Sequence, residues 1–143
     1  MKKIAIFLIA IIIIVSGISY MYLNYKANYN ISQKTNKEFE KYVDEEIYGK
    51  ELSTIINKAI DYNEKNEVEK DTKGNYIDDK ENSINIDIKM ADDNSIYKME
   101  TFYKNGMQNF IKYYGDIKFK CTKIDYHSST HNIKYMLFEQ IPD

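Results

Sequence analysis

Three patterns of hydrophobic and polar positions divide the chain, and the first is unbroken. Ile4 to Leu23, IAIFLIAIIIIVSGISYMYL, is a run of twenty residues without a charge, opened by Lys2 and Lys3 and closed by Asn24 and Lys26. At about 1.5 Å of rise per helical residue it covers about 30 Å, the thickness of a bilayer's hydrocarbon core. It predicts a transmembrane anchor at 4–23 behind a cytoplasmic n-region at 1–3. Lys2 and Lys3 favour a cytoplasmic N-terminus, and Tyr20, Tyr22 and Tyr25 fall where interfacial aromatics belong. The expectation is a single-pass protein of the cell membrane with its C-terminal domain extracytoplasmic. The same run also holds the parts of a signal peptide: Ile4 to Val15 as the apolar region, with Gly17 and Ser19 as small residues around a cut before Tyr20. On that alternative the protein is secreted after cleavage near Ser19. Continuation of the apolar run through Met21 and Leu23 favours retention.

The second pattern has the helical period. Asn24 to Asn30 is polar without a period and reads as the exit from the membrane. Then Ile31, Thr35, Phe39, Tyr42, Val43 and Ile47 recur mostly at three- and four-residue steps, with Lys34, Lys37, Glu38, Lys41 and Glu45 between them. This predicts an amphipathic stalk helix within a linker at 24–48. Its repeat lasts barely two heptads, too few for a coiled coil. Beyond Gly49, the residues Leu52, Ile55, Ile56, Ala59 and Ile60 give a clean apolar face and predict a helix from Lys50 to about Glu64. Past Asn105-Gly106, the spacing of Met107, Phe110, Ile111 and Tyr114 predicts a short helix stopped at Gly115.

The third pattern is alternation. Ile84, Ile86, Ile88 and Met90 face one way and Asn85, Asp87 and Lys89 the other, the signature of a half-buried strand. After the turn residues Asp92-Asp93-Asn94, alternation from Ile96 to Tyr103 predicts a second strand and a hairpin. Ile117, Phe119 and Cys121 alternate with Lys118, Lys120 and Thr122, whereas Ile124 and Tyr126 fall on the opposite parity, which predicts a bulge near Thr122-Lys123. His127 to Asn132 is a turn. Ile133 to Gln140 is apolar on both faces and should be an inner strand. Between the helix and the first strand, residues 64–82 are strongly charged and carry Gly74-Asn75, so they read as a loop or an exposed hairpin with short edge strands at Val68 and at Tyr76-Ile77. The fold class expected is α+β: an N-terminal transmembrane helix, then two helices and a four-stranded antiparallel sheet in the order ααββαββ, with an extracytoplasmic domain at 49–143.

Composition narrows the function classes. Of 143 residues, those outside the anchor suffice for one domain of ordinary size. The net charge is −2, the basic residues are all lysine, and they are interspersed with Asp and Glu. A nucleic-acid module would show a basic patch and arginine for bidentate contacts. The one cysteine, Cys121, excludes an intramolecular disulfide. No Leu-x-x-Cys lipobox occurs, and no Gly precedes the apolar run with a Glu five residues on, as a type IV prepilin signal requires.

Candidate chemistry is sparse. His127 and His131 stand four apart with Cys121 nearby, but four-residue spacing aligns ligands on a helix and these two flank a turn. Cys121 as a nucleophile needs a base, for which His127 is nearest in sequence; its face-mates Ile117 and Phe119 argue instead for a buried structural thiol. Asp71, Asn75 and Asp79 invite a calcium loop, yet the glycine stands at the fourth place and no Glu closes the twelfth. Tyrosine is abundant, 14 residues spread along the chain, which suits half-buried amphipathic positions as well as a carbohydrate or peptide surface. No catalytic, cofactor-binding or metal residue is assigned on these grounds.

The lysine-opened anchor, followed by YGKELSTIINKAIDYNEKNEVEKD, SINIDIKM, IKFKCTKIDYH and IKYMLFEQ, resembles the uncharacterised short membrane-anchored proteins of low-GC Gram-positive bacteria. The likeness is one of layout and composition over most of the chain; it implies a location and no activity. An apolar helix, an amphipathic helix and a small sheet also resemble, more distantly, the pilin-like and TadE-like proteins of secretion and pilus systems, although the prepilin cleavage motif is missing. Together these features lead us to expect a non-enzymatic, membrane-tethered interaction or accessory protein of the cell envelope, held in the membrane through Ile4 to Leu23 and meeting a protein partner there. The alternative is an envelope ligand-binding module or enzyme whose site is assembled from sequence-distant residues. A flat apolar patch would favour the first, and a concave site with converging polar groups the second.

Overall fold

The computed structural model describes residues 2–142. Its elements are α1 (Lys2–Glu40), β1 (Glu46–Tyr48), α2 (Gly49–Lys65), β2 (Asn85–Lys89), β3 (Ile96–Lys98), α3 (Met99–Lys104), α4 (Met107–Tyr114), β4 (Lys118–Tyr126) and β5 (Ile133–Gln140). Contacts divide the chain into two compact units, residues 1–34 and 35–143.

The first unit is helical at all its described residues, and the side chains of its apolar run are exposed. Its helix is long and apolar enough to cross a membrane, a property shared by anchors and signal sequences. Asn24 to Asn30, polar and without an apolar period, continues the helix. Neither Gly nor Pro interrupts that stretch, so nothing in its covalent chemistry stops the hydrogen-bonded ladder.

The second unit is a layer of helices on a five-stranded sheet of order β1-β4-β5-β2-β3. The regular periods are where the sequence puts them. In α2, Leu52, Ile55, Ile56, Ala59 and Ile60 are all buried. In and beside β2, Ile84, Ile86, Ile88 and Met90 are buried while Asn85, Asp87 and Lys89 are half-exposed. The β4–β5 ladder shifts register between Cys121 and Lys123, the bulge expected from the change of parity. With β4 on one side and β2 on the other, β5 is the inner strand, and Met136 and Phe138 are fully buried.

The expected ααββαββ order with four antiparallel strands needs three corrections. First, the amphipathic helix ends at Glu40 rather than running to Ile47; Asp44 takes a left-handed φ of 61°, and Glu46–Tyr48 becomes an edge strand antiparallel to β4, pairing Ile47 with Phe119. A single buried residue between two exposed ones, Glu46 and Tyr48, fits a strand as well as a helix turn. Second, the strand expected from Ile96 to Tyr103 stops at Lys98 and gives way to α3. Met99 and Phe102 are three apart, so a short segment satisfied both periods; as a helix it buries Met99 completely and sets Phe102 against Phe110. Third, the sheet is mixed. Both expected hairpins form, β2–β3 and β4–β5, but they join through a parallel β2–β5 ladder, Asn85 opposite Tyr135 through Lys89 opposite Glu139. With only three residues, β3 offers β5 too short an edge, whereas β2 offers five.

The charged stretch after α2 is a loop with a minimal hairpin, a single bridge between Lys70 and Tyr76. Val68 and Tyr76 are nonetheless buried, and the carboxylate of Glu100, itself buried, accepts the Tyr76 N–H at 2.8 Å. The start of α2 packs on the end of α4 at Gly49: its N–H donates to Ile117 O at 2.8 Å, and a Cβ there would overlap the Tyr114 carbonyl.

Candidate functional site

The polar turn His127 to Asn132 does not stand free. Its side chains fasten it to the backbone of residues 80–83: Ser129 Oγ donates to Lys80 O at 2.9 Å, Thr130 Oγ1 to Glu81 O at 2.7 Å and Asn132 Nδ2 to Glu81 O at 3.0 Å. His127, 2% exposed, places Nε2 at 2.8 Å from Ser83 O. A carbonyl only accepts, so Nε2 carries a proton, and Nδ1 lies 3.7 Å from Asp78 Oδ1.

Asp78, Asp79 and His127 each bring a ligating atom within 4.8 Å of the others. A cation is already present there as Lys134, whose Nζ lies 2.6 Å from Asp78 Oδ2 and holds that carboxyl below its usual range. Burial pushes the Asp79 carboxyl up, but the backbone N–H groups of Ser83, Glu81 and Asn82 converge on it and bring it below its usual range. Lysine and amides thus engage both carboxylates, and the arrangement clamps residues 78–83 to the β4–β5 hairpin. His131, the other half of the imagined histidine pair, is exposed with a left-handed φ of 58°, whereas His127 points inward.

Cys121 is fully buried, with Sγ 3.5 Å from Lys123 O, and burial pushes its thiol up to about 11. Its face-mate Phe119 is fully buried beside it. The thiol and the imidazole therefore answer to different backbone carbonyls, Lys123 O and Ser83 O. The residues of the imagined calcium loop likewise separate: Asp71 closes its own turn by accepting the N–H groups of Lys73 and Asn75, while Asp79 caps residues 81–83.

The feature that sequence reasoning missed lies on α3 and α4. Phe102, Phe110 and Tyr114 form an aromatic cluster, with Phe102 and Phe110 edge to face at a centroid distance of 4.9 Å and Tyr114 at 5.3 Å from Phe110. They floor a cleft of about 360 Å³ rimmed by Asn105, Asn109 and Tyr113. A second cleft of about 330 Å³ shares Phe102, Asn105 and Tyr114 and extends past Thr101 to Tyr97, Asp92 and Asp93. Gly106, with φ of 90°, makes the sharp turn between the helices that holds the cluster together. Read as a strand, residues 99–104 put Phe102 on the wetter face; only the helical spacing of Met99 and Phe102, stopped by Asn105-Gly106, could have signalled the site. Comparison of the chain with protein-family models, with curated proteins and with solved structures gives no match.

Proposed function

We propose that the protein is a membrane-tethered accessory protein of the cell envelope whose domain acts by binding rather than by catalysis. The observation that carries this reading is the apolar part of α1, long enough to cross a bilayer and with none of that span buried by the rest of the protein. In water such a surface is unfavourable by about 25 cal/mol for each Å² left uncovered, so a lipid environment is its natural complement. Binding without catalysis is supported by the fate of the reactive side chains. Cys121 lies fully buried in β4 with its thiol pushed up, and His127 is spent on a backbone carbonyl.

A second reading, a ligand-binding module rather than a partner for another protein, is favoured by the concave clefts on α3 and α4. The anchored reading is tested by fractionating cells that carry a C-terminally tagged form and treating intact cells with external protease. Retention in the membrane with digestion of the tag is expected. A full-length cytosolic band, or a shortened species in the medium, would overturn it.

A further inference from the structure

We infer that the joined clefts over α3 and α4 bind a neutral or acetamido-bearing oligosaccharide. The inference rests on the reading of an envelope domain that acts by binding, and gives that site a ligand class. The floor is aromatic: Phe102, Phe110 and Tyr114, continued by Tyr97, whose ring lies 5.8 Å from that of Phe102. Sugar rings carry apolar C–H faces that pack on aromatic surfaces, and they carry hydroxyls at the ring edge that need donors and acceptors in the same plane.

The rim supplies those groups uncommitted. The side chains of Asn105, Thr101 and Asp92 make no hydrogen bond among the described residues, and the same holds for the hydroxyls of Tyr113 and Tyr114. Asn109 uses one amide N–H on Asn105 O, at 2.8 Å, and keeps its carbonyl free. An amide offers both a donor and an acceptor, which suits vicinal hydroxyls and the acetamido group alike.

Charge and size narrow the ligand further. Among the described residues no lysine lines either cleft, the second carries Asp92 and Asp93, and Lys112 lies over the Tyr113 ring at 5.5 Å, a balance that offers an anionic polymer no basic patch and leaves neutral sugars. Volumes of about 360 and 330 Å³ lie at the lower end of the range for small-ligand sites, roughly 300–1,000 Å³, and the clefts share Phe102, Asn105 and Tyr114, so neighbouring units of one chain can be held side by side. An extended peptide would instead seek a sheet edge, and the nearest, β3, has three residues.

The test uses the full chain in phosphatidylcholine nanodiscs, free of sugar-based detergent. Tetra-N-acetylchitotetraose and cellotetraose are titrated in turn, with binding read by saturation-transfer NMR and by calorimetry. At least one should bind saturably. Asn105→Ala and Tyr113→Ala, both at exposed positions, should each weaken binding tenfold or more while leaving the thermal melt unchanged. Tyr126→Ala, at an exposed tyrosine outside the clefts, should leave binding intact. Absence of binding by both sugars, or binding indifferent to Asn105→Ala and Tyr113→Ala, would overturn the inference. A cytosolic location would instead defeat the anchored reading while leaving the binding result untouched, so the two failures are separable.

Discussion

The side-chain amide of Asn36 closes on the backbone at Ile133, accepting its N–H at 3.0 Å while donating to His131 O at 2.8 Å. One residue near the end of α1 thus satisfies both main-chain groups that the β4–β5 turn leaves facing it. Asn63 of α2 does the same for Ile84 at the start of β2, donating to its carbonyl and accepting its N–H, each at 2.8 Å. Truncation to alanine leaves the buried Ile133 N–H unpaired in the first case, and both a buried donor and a buried acceptor unpaired in the second. Asn36→Ala and Asn63→Ala should each cost about 1–3 kcal/mol, with the fully buried Asn63 at the upper end. Urea titration of the full chain in micelles measures this; a midpoint unmoved in both variants would contradict the assignment.

Gly49 is required by contact rather than by backbone conformation. Its missing side chain lets the first turn of α2 lie on the Tyr114 carbonyl, where Gly49 N donates to Ile117 O and Lys50 N to Gly115 O. In Gly49→Ala the added methyl meets backbone, which cannot rotate away. A loss of about 1–3 kcal/mol is expected, the usual size of an overpacking penalty. Gly17→Ala, where nothing lies within 4 Å, is the control and should not lower the melting temperature.

These two sites show which parts of the fold were legible in the sequence. Strict periods were: the apolar face of α2, the alternation of β2 and the parity change at the β4 bulge. Each is a local pattern fixed by burial on one face. Pairings between distant elements were not. Alternation tells which way a side chain points but not which strand lies beside it, so the parallel β2–β5 ladder left no mark. Segments of three to six residues, β1, β3 and α3, satisfied either period. The bond from Asn36 to His131 spans 95 residues and carries no local signal at all. The aromatic clefts were hidden for the same reason, because they exist only once α3 is a helix.

Acid and alkali should each destabilise the domain through identifiable groups. Lys134 holds the Asp78 carboxyl below its ordinary value of 3.8. As pH falls through the interval between the unfolded and the folded values, the unfolded chain takes up protons first, so stability present above about pH 4 is lost. Lys134→Met should flatten this acid limb. At the other end, burial and then the bond to Glu40 push the Tyr126 hydroxyl from 10.0 up to about 12. Between those values the folded state keeps a proton that the unfolded state has released, so stability present below pH 10 is lost as pH rises to about 12. Tyr126→Phe should remove part of that alkaline loss. Urea midpoints measured across both windows decide the matter, and an alkaline limb unchanged by Tyr126→Phe would contradict it.

Cys121 provides the sharpest distinction between a structural and a reactive thiol. It is fully buried beside Phe119, and burial pushes it from 9.0 up to about 11, so at neutral pH almost none of it is the nucleophilic thiolate. Maleimide labelling of the native protein should be slow and should become rapid only when denaturant opens the sheet. Cys121→Ala removes one sulfur from a packed site and should cost about 1 kcal/mol, on the scale of small core truncations. Cys121→Asp should cost considerably more, because a carboxylate placed there is fully buried with Asp44 as a like-charged neighbour and must either lose its charge or leave the core. Labelling of the folded protein within seconds, or an alanine variant that melts normally yet loses sugar binding or another measurable activity, would show that the thiol works outside the core and that catalysis has to be reconsidered.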